Sequence, residues 1–229
     1  MKRFWKEVGV VPADGGWNIA LDGRPVRTPQ RAPLAVASPA LAEAIAAEWQ
    51  AVGETIDPAA MPMTGLANAA IDIAAPDLAA FAEPVAAYAA SELFCYREDR
   101  DAALLAEQAA IWNPLLAWAE ARYGVEFVIA RGIVPIDQPE ATVAALRAAV
   151  LAHDAWRVTA LTPLVTIGGS LVAGLALVEA AFDAGDLWQA VSLDELYQER
   201  RWGPDALATA AREKKRADWD NAARFLSLL

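Results

Sequence analysis

Asp194 and Glu195 stand side by side in Leu193-Asp194-Glu195-Leu196-Tyr197-Gln198-Glu199-Arg200-Arg201-Trp202-Gly203-Pro204, and paired carboxylates are what general acid–base hydrolysis or lyase chemistry requires. Adjacent positions on a helix do not share a face, so the doublet alone makes no acid–base pair. A stripe within the same segment is more informative. Glu195, Gln198 and Trp202 fall at i, i+3 and i+7, one side of a helix. A carboxylate, an amide and an indole on one side, just before a Gly-Pro break, form a candidate recognition face. In the plainer reading Trp202 fills the core while Glu195 and Gln198 satisfy neighbouring backbone groups. Both readings stand at this level.

Other reactive patterns are sparse. Gly168-Gly169-Ser170-Leu171-Val172 lacks the glycine two positions after the serine that a nucleophile elbow needs. The single histidine, His153, sits near a predicted helix end in Ala152-His153-Asp154, where a capping or surface role is expected. There is no phosphate-cradling Gly-x-x-x-x-Gly-Lys-Ser/Thr loop and no Gly-x-Gly-x-x-Gly fingerprint, so no nucleotide cofactor is expected. The single cysteine, Cys95, lies in Leu93-Phe94-Cys95-Tyr96-Arg97, an apolar setting that raises a thiol pKa instead of activating it. One Cys and one His cannot make a tetrahedral zinc site or an intrachain disulfide, and no calcium-loop spacing appears. No metal and no disulfide-linked partner are expected. Asn68 and Asp72 fall one turn apart in Gly65-Leu66-Ala67-Asn68-Ala69-Ala70-Ile71-Asp72, either tying two parts of the chain together or lining a binding surface.

The elements that must position these residues divide the chain in two. In the first forty residues, Phe4–Val11 reads as a strand closed by Pro12-Ala13-Asp14-Gly15-Gly16. Trp17–Leu21 alternates as a half-buried strand, and Asp22-Gly23 is a tight hairpin turn. Arg24–Thr28 returns with Pro25 marking an edge, and Leu34–Val36 adds a short strand. Ser38-Pro39 caps a helix that Gly53 ends. After the connector at 56–64, Thr64 is expected to cap a helix over 65–74. Helices then follow at 77–91, 102–123 (kinked or split at Pro114), 139–152, 162–182, 187–201 and 204–228. Val125–Ile129 reads as a strand that could return to the N-terminal sheet. The predicted fold is α+β: a small β-rich N-terminal module of antiparallel strands plus a helix over residues 1–75, then a larger all-helical bundle over 76–229.

Bulk composition limits the functions open to such a chain. Hydrophobic residues make up 56% of the 229, and nine tryptophans supply area that an alanine-rich helical chain otherwise lacks. A net charge of −11 repels a phosphate backbone, so no nucleic-acid partner is expected. The dense basic run, Arg212-Glu213-Lys214-Lys215-Arg216, reads as a solvated helix face. Thr159–Val178 has no charged residue and the length of a membrane span. Pro163, three glycines, three threonines and a serine dilute it, so a buried helix is expected and membrane insertion is not. Small residues at Ser170 and Gly174 would let a second helix approach closely. The N-terminus carries charge but no apolar run, so a cytoplasmic protein is expected.

Eight stretches, in order along the chain, carry a resemblance. They are Arg3–Val8, Leu21–Pro29, Ala47-Glu48-Trp49, Met61–Thr64 on through Ile71-Asp72, Leu93–Arg97, Trp112–Trp118, Gly169-Ser170-Leu171, and Asp194-Glu195 with Gln198, Trp202 and Gly203. Together they resemble the α-subunit-specific assembly chaperones of the F(1) sector of ATP synthase, found in mitochondria and some bacteria. Departures are small: Met63 stands where the family often has leucine, and Glu92-Leu93-Phe94 where it often has an aspartate-leucine-leucine run. The resemblance implies a β-rich N-terminal module, a helical C-terminal one, and a partner, unassembled α subunit, held until it pairs with β. It implies a bacterial cytoplasmic version, since the mitochondrial presequence is missing. Asp194, Glu195, Gln198 and Trp202 are the expected partner-binding residues, with no catalytic residue. A carboxylate hydrolase or lyase, and a membrane protein anchored through Thr159–Val178, remain the competing classes.

Overall fold

A computed structural model of the chain describes residues 2–132 and 136–229. Its contacts divide the chain into two compact units. The first is residues 1–81 with 154–160 and 224–229, and the second is 82–153 with 161–223. The sequence reading places one cut after residue 75; the contacts group two later segments with the first unit as well.

The first unit is built on a hairpin. Strands β1 (Val8–Ala13) and β2 (Gly16–Leu21) pair antiparallel from Val8 opposite Leu21 to Ala13 opposite Gly16. Strand β1 starts later than the sequence suggested, and Pro12 and Ala13 belong to it, so only Asp14-Gly15 remain as the turn. Asp22 and Gly23 do take positive φ, 48° and 77°, and β3 (Arg24–Pro25) returns beside β2. Asp22 also accepts from the backbone N–H groups of Lys6 and Glu7, and these bonds hold its carboxyl below the usual range. Strand β4 (Ala35–Val36) completes the sheet against β2. Helix α1 (Pro39–Ala51) begins at Ser38, whose Oγ accepts from Leu41 N. Its Leu41, Ile45 and Trp49 pack with Trp5, Ile19, Leu34 and Phe225 in the core of this unit.

Helix α2 (Pro62–Ala69) corrects the expected cap. Thr64 is not the N-cap; Glu48 of α1 reaches across and accepts from Met63 N, Thr64 N and Thr64 Oγ1 at 2.7–2.8 Å. A carboxylate on the free N–H groups of a helix start also complements its dipole. The chain continues through one wide π-type turn, Ala70–Ala74. Asp72 accepts from Thr28 Oγ1 at 2.7 Å and Gln30 N at 3.0 Å, securing the loop after β3 within the same unit.

The second unit takes in most of the helices. Helix α3 (Leu78–Ala86) spans the boundary in sequence and tightens to 3₁₀ geometry at Ala87–Ser91. Helix α4 (Ala102–Tyr123) is one continuous helix, and Pro114 does not split it. Trp112, Leu115 and Leu116 are buried on either side of the proline, and that packing outweighs the one lost backbone bond. Val125–Ile129 forms no strand. The chain pairs just beyond, where β6 (Ala130–Arg131) runs parallel to β5 (Tyr96–Arg97) in a separate two-stranded sheet, not with the N-terminal sheet.

Helix α5 (Glu140–Leu151) and α6 (Ala155–Gly168) follow. The long apolar segment then breaks: Gly169 takes φ 70° and Ser170 caps a new helix, α7 (Leu171–Val178). Thr159–Val178 is therefore two helices. A Cβ on Gly174 would lie 2.6 Å from Leu161 Cδ1 and 2.7 Å from Val165 Cγ2, so this glycine permits the close packing of α7 on the end of α6. Among the described residues one stretch, Leu78–Cys95, is long and apolar enough to cross a membrane by length and composition, and it contains Glu83, Pro84 and Glu92. Helices α8 (Ala184–Val191), α9 (Leu193–Trp202) and α10 (Ala206–Ser227) close the chain, with Ser192 dividing what the sequence suggested was one helix.

A buried carboxylate organises the middle of this unit. Glu92, fully buried, accepts from Phe94 N at 3.2 Å and Val172 N at 3.0 Å, and so caps α7 from a distant segment. Burial pushes its pKa up to about 6 even though these donors and Ser170 pull it down. Nearby Cys95 is buried as expected; desolvation, with the charge of Glu92, pushes its thiol to about 12. Arg97 donates from Nε to Phe94 O and from Nη2 to Asn113 Oδ1, both at 2.8 Å, with its guanidinium 5.2 Å from the Trp112 ring centroid.

Candidate partner-binding site

Helix α9 positions the predicted stripe. Asp194 and Glu195 in its first turn and Arg200 and Arg201 in its last both complement the helix dipole. Gly203, at φ 90°, ends it, and Asp205 Oδ1 then accepts from Ala208 N at 2.8 Å to start α10. The short Gly203-Pro204-Asp205 connection folds α10 back beside α9, so polar side chains of α9 reach both α4 and α10.

Toward α4 the polar groups are all engaged. Asp194 Oδ1 accepts from Gln108 Nε2 at 2.9 Å, while Gln108 Oε1 accepts from Glu98 N at 2.8 Å. Burial raises the Asp194 carboxyl above its usual range; Gln108 opposes the shift and the Glu98 charge adds to it. Asp101, the N-cap of α4, accepts from Ala103 N and Leu104 N and takes the Tyr197 hydroxyl at 2.9 Å. That hydroxyl is the chief reason the Asp101 carboxyl sits below its usual range, and Arg201 pairs with the same carboxylate. Arg200 pairs with Glu107 at 2.5 Å.

Toward α10 lies a cleft of about 530 Å³. Glu195, Gln198, Glu199 and Trp202 form one wall, and Ala208, Ala211, Arg212 and Lys215 the other. Lys215 reaches Glu195 at 3.3 Å, and Arg212 pairs with Glu199. Trp202 is 72% exposed, with Leu207, also strongly exposed, just beyond the connection. The indole therefore does not plug the core. Oε1 of Gln198 is withdrawn from solvent and has no hydrogen-bond partner among the described residues. An unpaired buried amide oxygen costs on the order of 1–3 kcal/mol.

The structure thus brings Glu195, Gln198 and Trp202 together, and turns Asp194 away to α4. With Asp194 bonded to one helix and Glu195 to another, the two carboxylates share no centre at which they could act as an acid–base pair. Among the described residues no group of three His, Cys, Asp or Glu side chains is arranged to hold a metal ion. Arg212 and Lys215 line the cleft, although the sequence reading left them as a solvated face. A signal for them was present. Two acids one turn apart and two bases one turn apart flank a Gly-Pro break, as two antiparallel paired helices would require. Gln108 was missed as well, because its two partners lie 10 and 86 residues away.

Comparison with known proteins fits this architecture. The family model described as ATP12 chaperone protein matches residues 2–120. A curated relative, the mitochondrial protein atp12 of Schizosaccharomyces pombe, is 24% identical over 219 residues, covering 88% of this chain and 74% of its own length. The crystal structure of Atp12 from Paracoccus denitrificans superimposes with a TM-score of 0.93 at 41% identity, covering 99% of this chain and 97% of that one. A point mutant of the Paracoccus protein gives the same values. Atu1473 from Agrobacterium tumefaciens superimposes with a TM-score of 0.92 at 34% identity, covering 99% and 85%.

Proposed function

The chain belongs to the ATP12 family of chaperones in ATP synthase assembly, and from that premise we propose that its client is the unassembled F(1) α subunit. An α subunit without its β neighbour exposes surface meant for that neighbour, and such patches invite aggregation. A protein that covers the patch keeps the subunit folded and soluble by mass action. It must bind less tightly than β, so that β displaces it. Release is by partner exchange, and the chain acts as a holder without catalysing a reaction. The bacterial relatives support a site of action in the bacterial cytoplasm.

Glu195, Gln198 and Trp202 form the contact, and Asp194 contributes by fixing α9 on α4. The observation that carries this assignment is Trp202: a large indole 72% exposed on the wall of a cleft is uncommon unless something covers it. Pull-down with the tagged chain from its host lysate should enrich ATP synthase α subunit without β. Glu195→Lys places a cation opposite Lys215 at a half-exposed position, so capture of α should be lost while the thermal midpoint stays unchanged. Normal capture by this variant would refute the site, and absence of α from the wild-type pull-down would refute the client.

A further inference from the structure

The cleft between α9 and α10 has a more specific chemistry than an apolar groove. Its lining holds three acids, Glu195, Glu199 and Asp205, against two bases, Arg212 and Lys215. Both bases are taken, by Glu199 and Glu195 respectively. Asp205 has no ion pair among the described residues, its Oδ1 serving only the start of α10. The uncompensated charge is negative. The site therefore lacks a cationic donor. At its rim stands the exposed Trp202 indole, whose ring already has the Arg201 guanidinium 6.0 Å from its centroid. Between rim and floor the walls are Ala208 and Ala211, which can contact methylenes but donate nothing.

We infer that the cleft takes an arginine side chain of the client, an inference that rests on the partner-holding reading above. A planar guanidinium can stack on the exposed Trp202 ring and pair with the Asp205 carboxylate, while its aliphatic stem packs on the alanines. Lysine fits less well: its compact ammonium is strongly hydrated and cannot stack. A neutral amide leaves the excess carboxylate unmatched. The volume of about 530 Å³ accommodates a whole residue with part of a neighbour. The net charge of −11 also favours encounter with a basic segment.

The test uses the full chain and three blocked amino acids as probes: N-acetyl-arginine N-methylamide and its citrulline and lysine counterparts. Binding is read from the NMR signals of the Gln198 side-chain amide and the Trp202 indole N–H, assigned with Gln198→Leu and Trp202→Phe. The arginine probe should shift both signals saturably and bind roughly 10-fold more tightly than either counterpart. Asp205→Asn keeps a helix-capping side chain and should remove the preference of arginine over citrulline. Equal binding of the three probes, shifts confined to other signals, or no saturable shift would overturn the inference. Capture of α subunit by the same preparation separates the two levels. If α is captured in a Trp202-dependent way while arginine shows no preference, the arginine assignment falls and the client stands. If α is not captured, the client falls, and with it the source of the arginine, whether or not the probe binds.

Discussion

The two faces of α9 are made from the same kinds of side chain and, under the proposed function, are put to opposite uses. Toward α4, Asp194, Tyr197, Arg200 and Arg201 each find a partner, and Gln108 sits at 2% exposure with both ends of its amide bonded. Toward α10, the ion pairs Glu195–Lys215 and Glu199–Arg212 leave a cleft between them, with one amide oxygen unpaired and one indole in solvent. A face that only stabilises the fold satisfies its polar groups internally. A face kept for a partner leaves groups for that partner to satisfy, at some cost to the isolated protein. Changes on the α4 side should alter stability without altering capture, and changes on the cleft side the reverse.

The largest effect is expected at Trp202. Removing an exposed indole at the centre of an interface costs about 2–4 kcal/mol of binding, so Trp202→Ala should weaken α-subunit binding by roughly 30- to 1000-fold. The thermal midpoint should not fall; a clear fall would show that the indole serves the fold and would erase the contrast. Gln108→Leu should do the opposite. It strips Asp194 and Glu98 N of their partner within a buried setting, a loss of about 3 kcal/mol. That corresponds to a midpoint lower by roughly 6–12 °C in a chain of this size, with α binding per folded molecule unchanged at low temperature.

Glu92 sharpens the contrast from outside α9, because it too belongs wholly to the fold. Its pKa of about 6 lies above the unfolded value of 4.5, so the folded state holds its proton more tightly. Its contribution to stability is full below pH 4.5 and is lost as pH rises through 6, a change of about 2 kcal/mol. Denaturant titrations between pH 4.5 and 7 should show that slope, and Glu92→Gln should remove it while leaving capture intact. The smallest effect is expected at Glu195→Gln: the half-exposed pair with Lys215 contributes less than about 1 kcal/mol to folding, so denaturation should hardly change. Capture should weaken several-fold, less than with Glu195→Lys.

What the sequence made legible was local. Ser38 capping α1, the positive φ at Asp22-Gly23 and the bounds of α4 follow from neighbours within a few residues, and all can be read from patterning. The stripe of Glu195, Gln198 and Trp202 was legible for the same reason: helix periodicity alone puts it on one side. Long-range devices were not. Glu48 capping α2 and Glu92 capping α7 act across 15 and 80 residues, and neither an acid within an alanine-rich helix nor one in a short break between 3₁₀ turns gives a hint of such a partner. The break at Gly169 was hidden because no charged residue marks the segment on either side of it. Whether Trp202 was core or surface could not be settled by periodicity, since it depends on how α10 folds back.

The most direct test of a partner-holding cleft is to mix purified, unassembled ATP synthase α subunit with the chain and follow complex formation and α aggregation together. The account predicts that the wild-type chain forms a separable complex with α, suppresses its aggregation and releases it when β is added, and that Trp202→Ala does none of these while remaining folded. Equal protection of α by Trp202→Ala and wild type, or no complex with α by either, would contradict it.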